Sequence, residues 1–173
     1  MIDINEDICL RAKELIDISC FEGITFGFAE SLTGGSISSA VVNIPGASNA
    51  FKGSVVSYTN EIKENVLGVP SELIRIYNEV SDECAKAMAE GAFSVLGVDL
   101  AVSVTGIAGP TGELPGKPVG TVYMCYCCRK TADSGITSGS VRLNFEGDRK
   151  TVRDNTVLAA LSCAISLIKD GRL

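Results

Sequence analysis

The chain has 173 residues, 46% of them hydrophobic and five of them proline, enough for one well-filled core and short for two domains, so residues 1–173 are read as a single domain. A net charge of −6 argues against neutralising a phosphate polymer, and the expected partner is a small molecule, not a nucleic acid. The chain has no histidine, which excludes Ser-His-Asp and Cys-His mechanisms and every His-containing zinc site.

No stretch approaches the ~20 apolar residues that cross a bilayer, and the acidic start from Met1 to Asp7 lacks the basic beginning of a signal peptide. A soluble, cytoplasmic protein without a membrane partner is expected. Seven cysteines sit mostly in apolar runs, Cys125, Cys127 and Cys128 in a strand and Cys163 in a helix, as reduced core thiols do. They lack paired CxxC spacing, and neither a metal nor a cofactor is read from the sequence.

In chain order, apolar Ile8, Ala12, Leu15 and Ile16 recur at helical spacing and predict a surface helix over Asn5 to Ile18. After a break at Cys20 to Gly23, Ile24 to Ala29 reads as a strand, and Thr33-Gly34-Gly35 opens a helix through Val42. Gly53 to Tyr58 is a second strand. Thr59 or Asn60 then caps a helix ending at Gly68. Pro70 precedes a helix from Ser71 to about Tyr77, and Ser81 begins a longer one through Leu96. Leu100 to Val104 has the continuous β-prone character of a strand buried on both faces. Gly120 to Arg129 and Gly135 to Asn144 are two further strands, and Asp148 caps a final helix that runs to Gly171.

Helices interleaved with strands predict an α/β fold whose sheet is covered on both faces. The short link between the last two strands leaves no room for a crossover helix, so the sheet is expected to be mixed. Ligands gather at the carboxyl ends of strands in such sheets, and Ser31, Tyr58 and Thr105 fall there.

Ser31 stands two residues beyond a buried strand and just before Thr33-Gly34-Gly35, whose amides at a helix start can hold an oxyanion or a phosphate. The plainer reading is that Ser31 or Thr33 merely caps the helix. A serine nucleophile needs a base, and without His the remaining choice is a lysine kept neutral by burial or by neighbouring positive charge. Lys63, on the first turn of the helix after the strand ending at Tyr58, is the candidate. Tyr58 can orient that base or relay a proton. Thr105-Gly106-Ile107-Ala108-Gly109-Pro110 is a glycine-punctuated loop suited to backbone contacts, without the pattern of a Walker A or dinucleotide-binding loop. Glu30 points away from Ser31, toward Lys63, a metal or solvent, and the sequence does not choose among these. Arg142, Arg149, Lys150 and Arg153 form a basic cluster suited to one phosphate.

Taken together, Ala29-Glu30-Ser31-Leu32-Thr33-Gly34-Gly35, Gly53 to Tyr58 with Asn60 and Lys63, Thr105 to Pro110, Lys117-Pro118-Val119-Gly120 and Gly147-Asp148-Arg149 with Val152-Arg153 resemble the CinA C-terminal domain family over nearly the whole chain. Members of that family include nicotinamide mononucleotide deamidases. The resemblance implies a three-layer α/β/α sandwich and hydrolysis of a carboxamide by a Ser/Lys dyad at Ser31 and Lys63, assisted by Tyr58 and Thr105. Glu30, Thr33, Gly34, Gly35, Asn60, Gly106 and Arg149 would bind the nucleotide, with Arg149 on its phosphate, and a homo-oligomer, dimer or larger, is implied. The alternative is a nucleotide-binding regulatory module without turnover. A metal-assisted phosphohydrolase using Glu30 and Asp148 is a further rival. This sequence departs from the family at Glu113, where glycine is usual, and at Asn78-Glu79-Val80-Ser81, usually Gly-Ala-Val-Ser, placing altered residues near the expected substrate rim. The larger domain that precedes this one in full-length family members is not in the sequence, so its pyrophosphatase activity is not expected.

Overall fold

The computed structural model describes residues 3–129 and 135–171. Its elements are α1 (Ile4–Glu22), β1 (Phe26–Glu30), α2 (Ser36–Val42), a 3₁₀ turn (Ala47–Asn49), β2 (Phe51–Val56), α3 (Asn60–Leu67), α4 (Ser71–Tyr77), α5 (Asp82–Leu96), β3 (Leu100–Gly106), β4 (Thr121–Cys128), β5 (Thr137–Asn144) and α6 (Arg149–Lys169). The five strands form one sheet in the order β2-β1-β3-β4-β5, with β1 parallel to β2 and β3, and the β3–β4 and β4–β5 pairs antiparallel. The mixed three-layer α/β/α architecture is therefore the one expected.

Each sheet face has its own apolar core. Phe26, Phe28, Leu100, Val102 and Val104 pack beneath α1, α2 and α6. Ala29, Ala101, Cys125 and Cys127 lie beneath α4 and α5. β1 is buried along its whole length, which is why its sequence carries no polar alternation before Glu30. Burying a side chain the size of Phe26 or Phe28 is worth about 2–3 kcal/mol, so this central strand is a rigid base for the residues at its end. Cys125 and Cys127 are free thiols, and burial pushes them up to about 12 and about 11 respectively. They remain protonated at neutral pH.

The caps follow the sequence closely. Thr59, Ser81 and Asp148 accept from Ile62, Cys84 and Thr151 amides, and Gly68 and Gly97 end their helices in the left-handed region. Several boundaries differ from expectation, among them those of α1, β2 and β5. α1 runs on to Glu22 because only Gly23, at φ 69°, stops it. β2 begins at Phe51, which pairs with Phe26 across a register shift, and it ends at Val56, so Tyr58 lies beyond the strand. β5 begins at Thr137, and part of its expected link to β4 lies outside the described residues. α6 also corrects the expectation on bilayer length: its 21 residues are long and apolar enough to cross a membrane, yet half of that stretch is buried within the fold.

Candidate active site

The first parallel strand sends its neighbours in opposite directions, β2 to one side and β3 to the other, which makes the carboxyl end of β1 a topological switch point. Ser31 follows β1 directly and is held by a bond from its amide to the Val104 carbonyl of β3. Lys63 comes from the first turn of α3, which Thr59 caps and which the Ser57 amide ties to the Glu30 carbonyl. Its Nζ lies 3.1 Å from Ser31 Oγ and 2.7 Å from the Ser57 carbonyl. Lys63 is 1% exposed and Ser31 9%.

Burial lowers the Lys63 pKa from its ordinary value, against the opposing influence of Cys84 and Glu79. Burial also pushes the Cys84 thiol up to about 11, so it carries no charge at neutral pH. The field that supports the Lys63 ammonium is then chiefly that of Glu79. A neutral amine here can donate to Ser57 and accept the Ser31 hydroxyl proton through its lone pair, the arrangement a general base requires.

Above the pair opens a cavity of about 400 Å³, within the range of small-molecule sites. It brings together Ser31, Lys63, Tyr58, Asn60, Thr105, Gly106 and Arg149 from the expected set. Only glycine fits at Gly106, where a Cβ would stand 2.6 Å from the Thr121 carbonyl oxygen.

Several expected roles are corrected. Glu30 is fully buried below the site, where Oε2 accepts from the Gly35 and Ile37 amides and Oε1 from the Ser38 amide and hydroxyl. It neutralises the start of α2, makes no bond to Lys63 and does not line the cavity. Thr33, Gly34 and Gly35 do not line the cavity. The Gly34 amide is spent on the Ser31 carbonyl and the Gly35 amide on Glu30, so these two cannot hold an oxyanion. Tyr58 is 57% exposed, and its hydroxyl accepts from Arg149 at 3.0 Å without reaching the dyad. The Thr105 hydroxyl donates to the Glu79 carbonyl at 2.7 Å. Glu113 turns its carboxylate to the Val119 amide at 3.4 Å and does not line the cavity.

The basic cluster is dispersed. Arg142 donates to the Gly116 carbonyl, Lys150 pairs with Asp154, and Arg153 donates to the Leu32 and Thr33 carbonyls and to Ser36 Oγ. Only Arg149 lines the cavity, anchored on the Gly109 carbonyl at 2.8 Å and on Tyr58. Glu30 and Asp148 cap different helices, so the acids of the metal-assisted rival do not converge.

Three contributions were not assigned from sequence: the Ser57 carbonyl that orients Lys63, the Arg153 clamp on the turn after Ser31, and Glu79 in the cavity wall. Arg153 stands one helical turn from Arg149 on α6, a spacing that puts both on the end nearest the site.

The chain matches the CinA C-terminal domain family over residues 11–168. It is 44% identical over 137 residues to a CinA-like protein of Thermotoga neapolitana, covering 79% of this chain and 32% of that protein. It thus spans about a third of the length of the curated relatives it matches. Among solved structures, the competence/damage inducible protein of Agrobacterium tumefaciens is 34% identical with a TM-score of 0.86, covering 93% of this chain and 95% of that one. A CinA superfamily protein of Klebsiella pneumoniae is 26% identical with a TM-score of 0.87, covering 94% and 98%.

Proposed function

The chain belongs to the CinA C-terminal domain family, and from that premise we propose that it is a nicotinamide-nucleotide amidohydrolase, converting nicotinamide mononucleotide and water to nicotinate mononucleotide and ammonia. The observation that carries this reading is the buried 3.1 Å contact between Lys63 Nζ and Ser31 Oγ at the floor of an open cavity. A lysine has little reason to be buried beside a serine hydroxyl unless its neutral form is wanted there.

In the reaction, Lys63 takes the Ser31 proton and the alkoxide adds to the amide carbon. The protonated Lys63 then gives that proton to the departing nitrogen, which leaves as ammonia, and Ser31 carries the acyl group as an ester. Water, deprotonated by Lys63, adds to the ester and releases nicotinate mononucleotide as Ser31 regains its proton. With the amides of Gly34 and Gly35 engaged, the proposed oxyanion donors are those of Leu32, next to the nucleophile, and of Ala108, both lining the cavity. Arg149 spends N–H groups on Gly109 and Tyr58 and has others for the phosphate.

The test is ammonia release from nicotinamide mononucleotide, with free nicotinamide as the control for the phosphoribosyl group. Release from the nucleotide that disappears in Ser31→Ala supports the reading. Calorimetric binding of the nucleotide without release would instead identify a regulatory module.

A further inference from the structure

Glu79 is the acidic residue among those lining the cavity, and no step of the mechanism passes through it. Its charge acts on Lys63, and among the described residues no hydrogen bond or ion pair engages its carboxylate. Nor does it serve α5, whose cap is Ser81, two residues further on.

The segment that carries it is unusually constrained. The Lys117 ammonium donates to the Tyr77 carbonyl at 3.2 Å and to the Val80 carbonyl at 2.5 Å, the Ser81 hydroxyl to the Asn78 carbonyl at 2.8 Å, and the Thr105 hydroxyl to the Glu79 carbonyl at 2.7 Å. Every carbonyl from Tyr77 to Val80 is thus held by a side chain. Asn78 sits at φ 66°, ψ 166°, a region of backbone space populated almost only by glycine, and it is the one non-glycine residue with positive φ among those described. Such a conformation persists only where its surroundings over-determine it, and here they fix the backbone of the one acidic residue lining the cavity.

The other charges in the wall are cationic or titrate to a cation, Arg149 and Lys63. A site of that composition takes an anion readily, and a negative group added to the same wall, where the family usually has an uncharged residue, favours a ligand that carries a cationic ring beside its phosphate. Glu79 is that group.

We propose that Glu79 is a specificity-determining residue of this site, selecting a carboxamide on a positively charged ring, a pyridinium, over a neutral aryl carboxamide of the same shape. The inference rests on the amidohydrolase reading of Ser31 and Lys63, which supplies the ring's identity. Part of the selection acts on the base itself: a cation placed against Glu79 offsets the negative field that sustains the Lys63 ammonium, leaving more of the amine in the neutral form that can accept the Ser31 proton.

The experiment compares two ligands by calorimetry in a Ser31→Ala background, where neither is consumed: nicotinamide mononucleotide and the 5′-phosphate of the benzamide C-riboside, which replaces the ring nitrogen by carbon and so removes the charge. With Glu79 present, the pyridinium ligand is expected to bind at least tenfold more tightly. Glu79→Gln should reduce the preference to threefold or less, mainly by weakening the pyridinium ligand, and Glu79→Lys should reverse it. A preference that survives both substitutions, or that is absent with Glu79 in place, overturns the proposal. Should one variant fail to fold, the other decides. Ammonia release by the unsubstituted protein is read separately: charge selection without release defeats the hydrolase reading alone, and release with charge selection independent of Glu79 defeats this inference alone.

Discussion

Glu30 and Glu79, the two carboxylates of the Ser31 region, have opposite lives. Glu30 adjoins Ser31 in sequence, lies wholly in the interior, and is saturated by three backbone amides and a hydroxyl of α2. Glu79 is remote in sequence, lines the cavity, and has its backbone held while, among the described residues, its carboxylate accepts no hydrogen bond. The number of partners, and not adjacency to the nucleophile, separates an acid that builds the site from one that can meet a ligand. A saturated carboxylate has nothing left to offer.

The sharpest check on this contrast is to remove the dyad that both acids surround. Ser31→Ala and Lys63→Met are each expected to lower kcat for ammonia release by roughly a thousandfold or more, since nucleophile and base act as a unit. Steady-state kinetics would show it, and a variant at the parental rate would end the Ser/Lys reading. Next in size is Glu30→Gln, which sets an amide NH₂ against donors that now meet an acceptor. A cost of about 2–4 kcal/mol is expected, read as a fall in Tm of roughly 5–15 °C by scanning calorimetry. An unchanged Tm would mean that Glu30 is not the structural acid.

Glu79→Gln should leave Tm near the parental value and instead move the pH profile. Lys63 is faced by Glu79, by the neutral Cys84 thiol from α5, by Ser31, and across the cavity by Tyr58 and the Arg149 cation. Loss of the negative field lowers the Lys63 pKa further below the usual lysine range, and the neutral base then persists to lower pH. The acid limb of kcat/KM should accordingly shift to lower pH, and a shift to higher pH would contradict the sign. The smallest effect is expected from Asn78→Gly, which relieves a glycine-like backbone and should raise stability by about 1 kcal/mol in urea denaturation. A loss of stability would show that Asn78 is not strained.

Where a feature is written in one stretch of chain, the sequence discloses it. β1 and β3 read as unbroken apolar runs because both of their faces are covered, and Thr59, Ser81 and Asp148 cap as their local patterns require. The absence of histidine narrowed the search for a base to lysine, and the fold brings Lys63 against Ser31. The roles that were misassigned depend on where a side chain or an amide turns. The Gly34 and Gly35 amides resemble an anion site until Ser31 and Glu30 are seen to occupy them. Tyr58 looks like a proton relay until β2 stops short of it and Arg149 claims its hydroxyl. Glu79 was visible only as a departure from a pattern, because the groups that hold its backbone, Thr105 and Lys117, belong to the β3–β4 region.

That last arrangement has a consequence for how such a site can change. Ser31 follows β1 and Lys63 lies on α3, whereas the four residues from Tyr77 to Val80 run from the end of α4 toward α5 and, among the described residues, share no hydrogen bond with the Ser31–Lys63 pair. Substitutions in that bridge can redraw which molecules are admitted without replacing Ser31 or Lys63, touching the base only through the charge at Glu79. In the proposed reaction, the groups that break the bond and the group that chooses the substrate would thus lie on separately replaceable pieces of the chain.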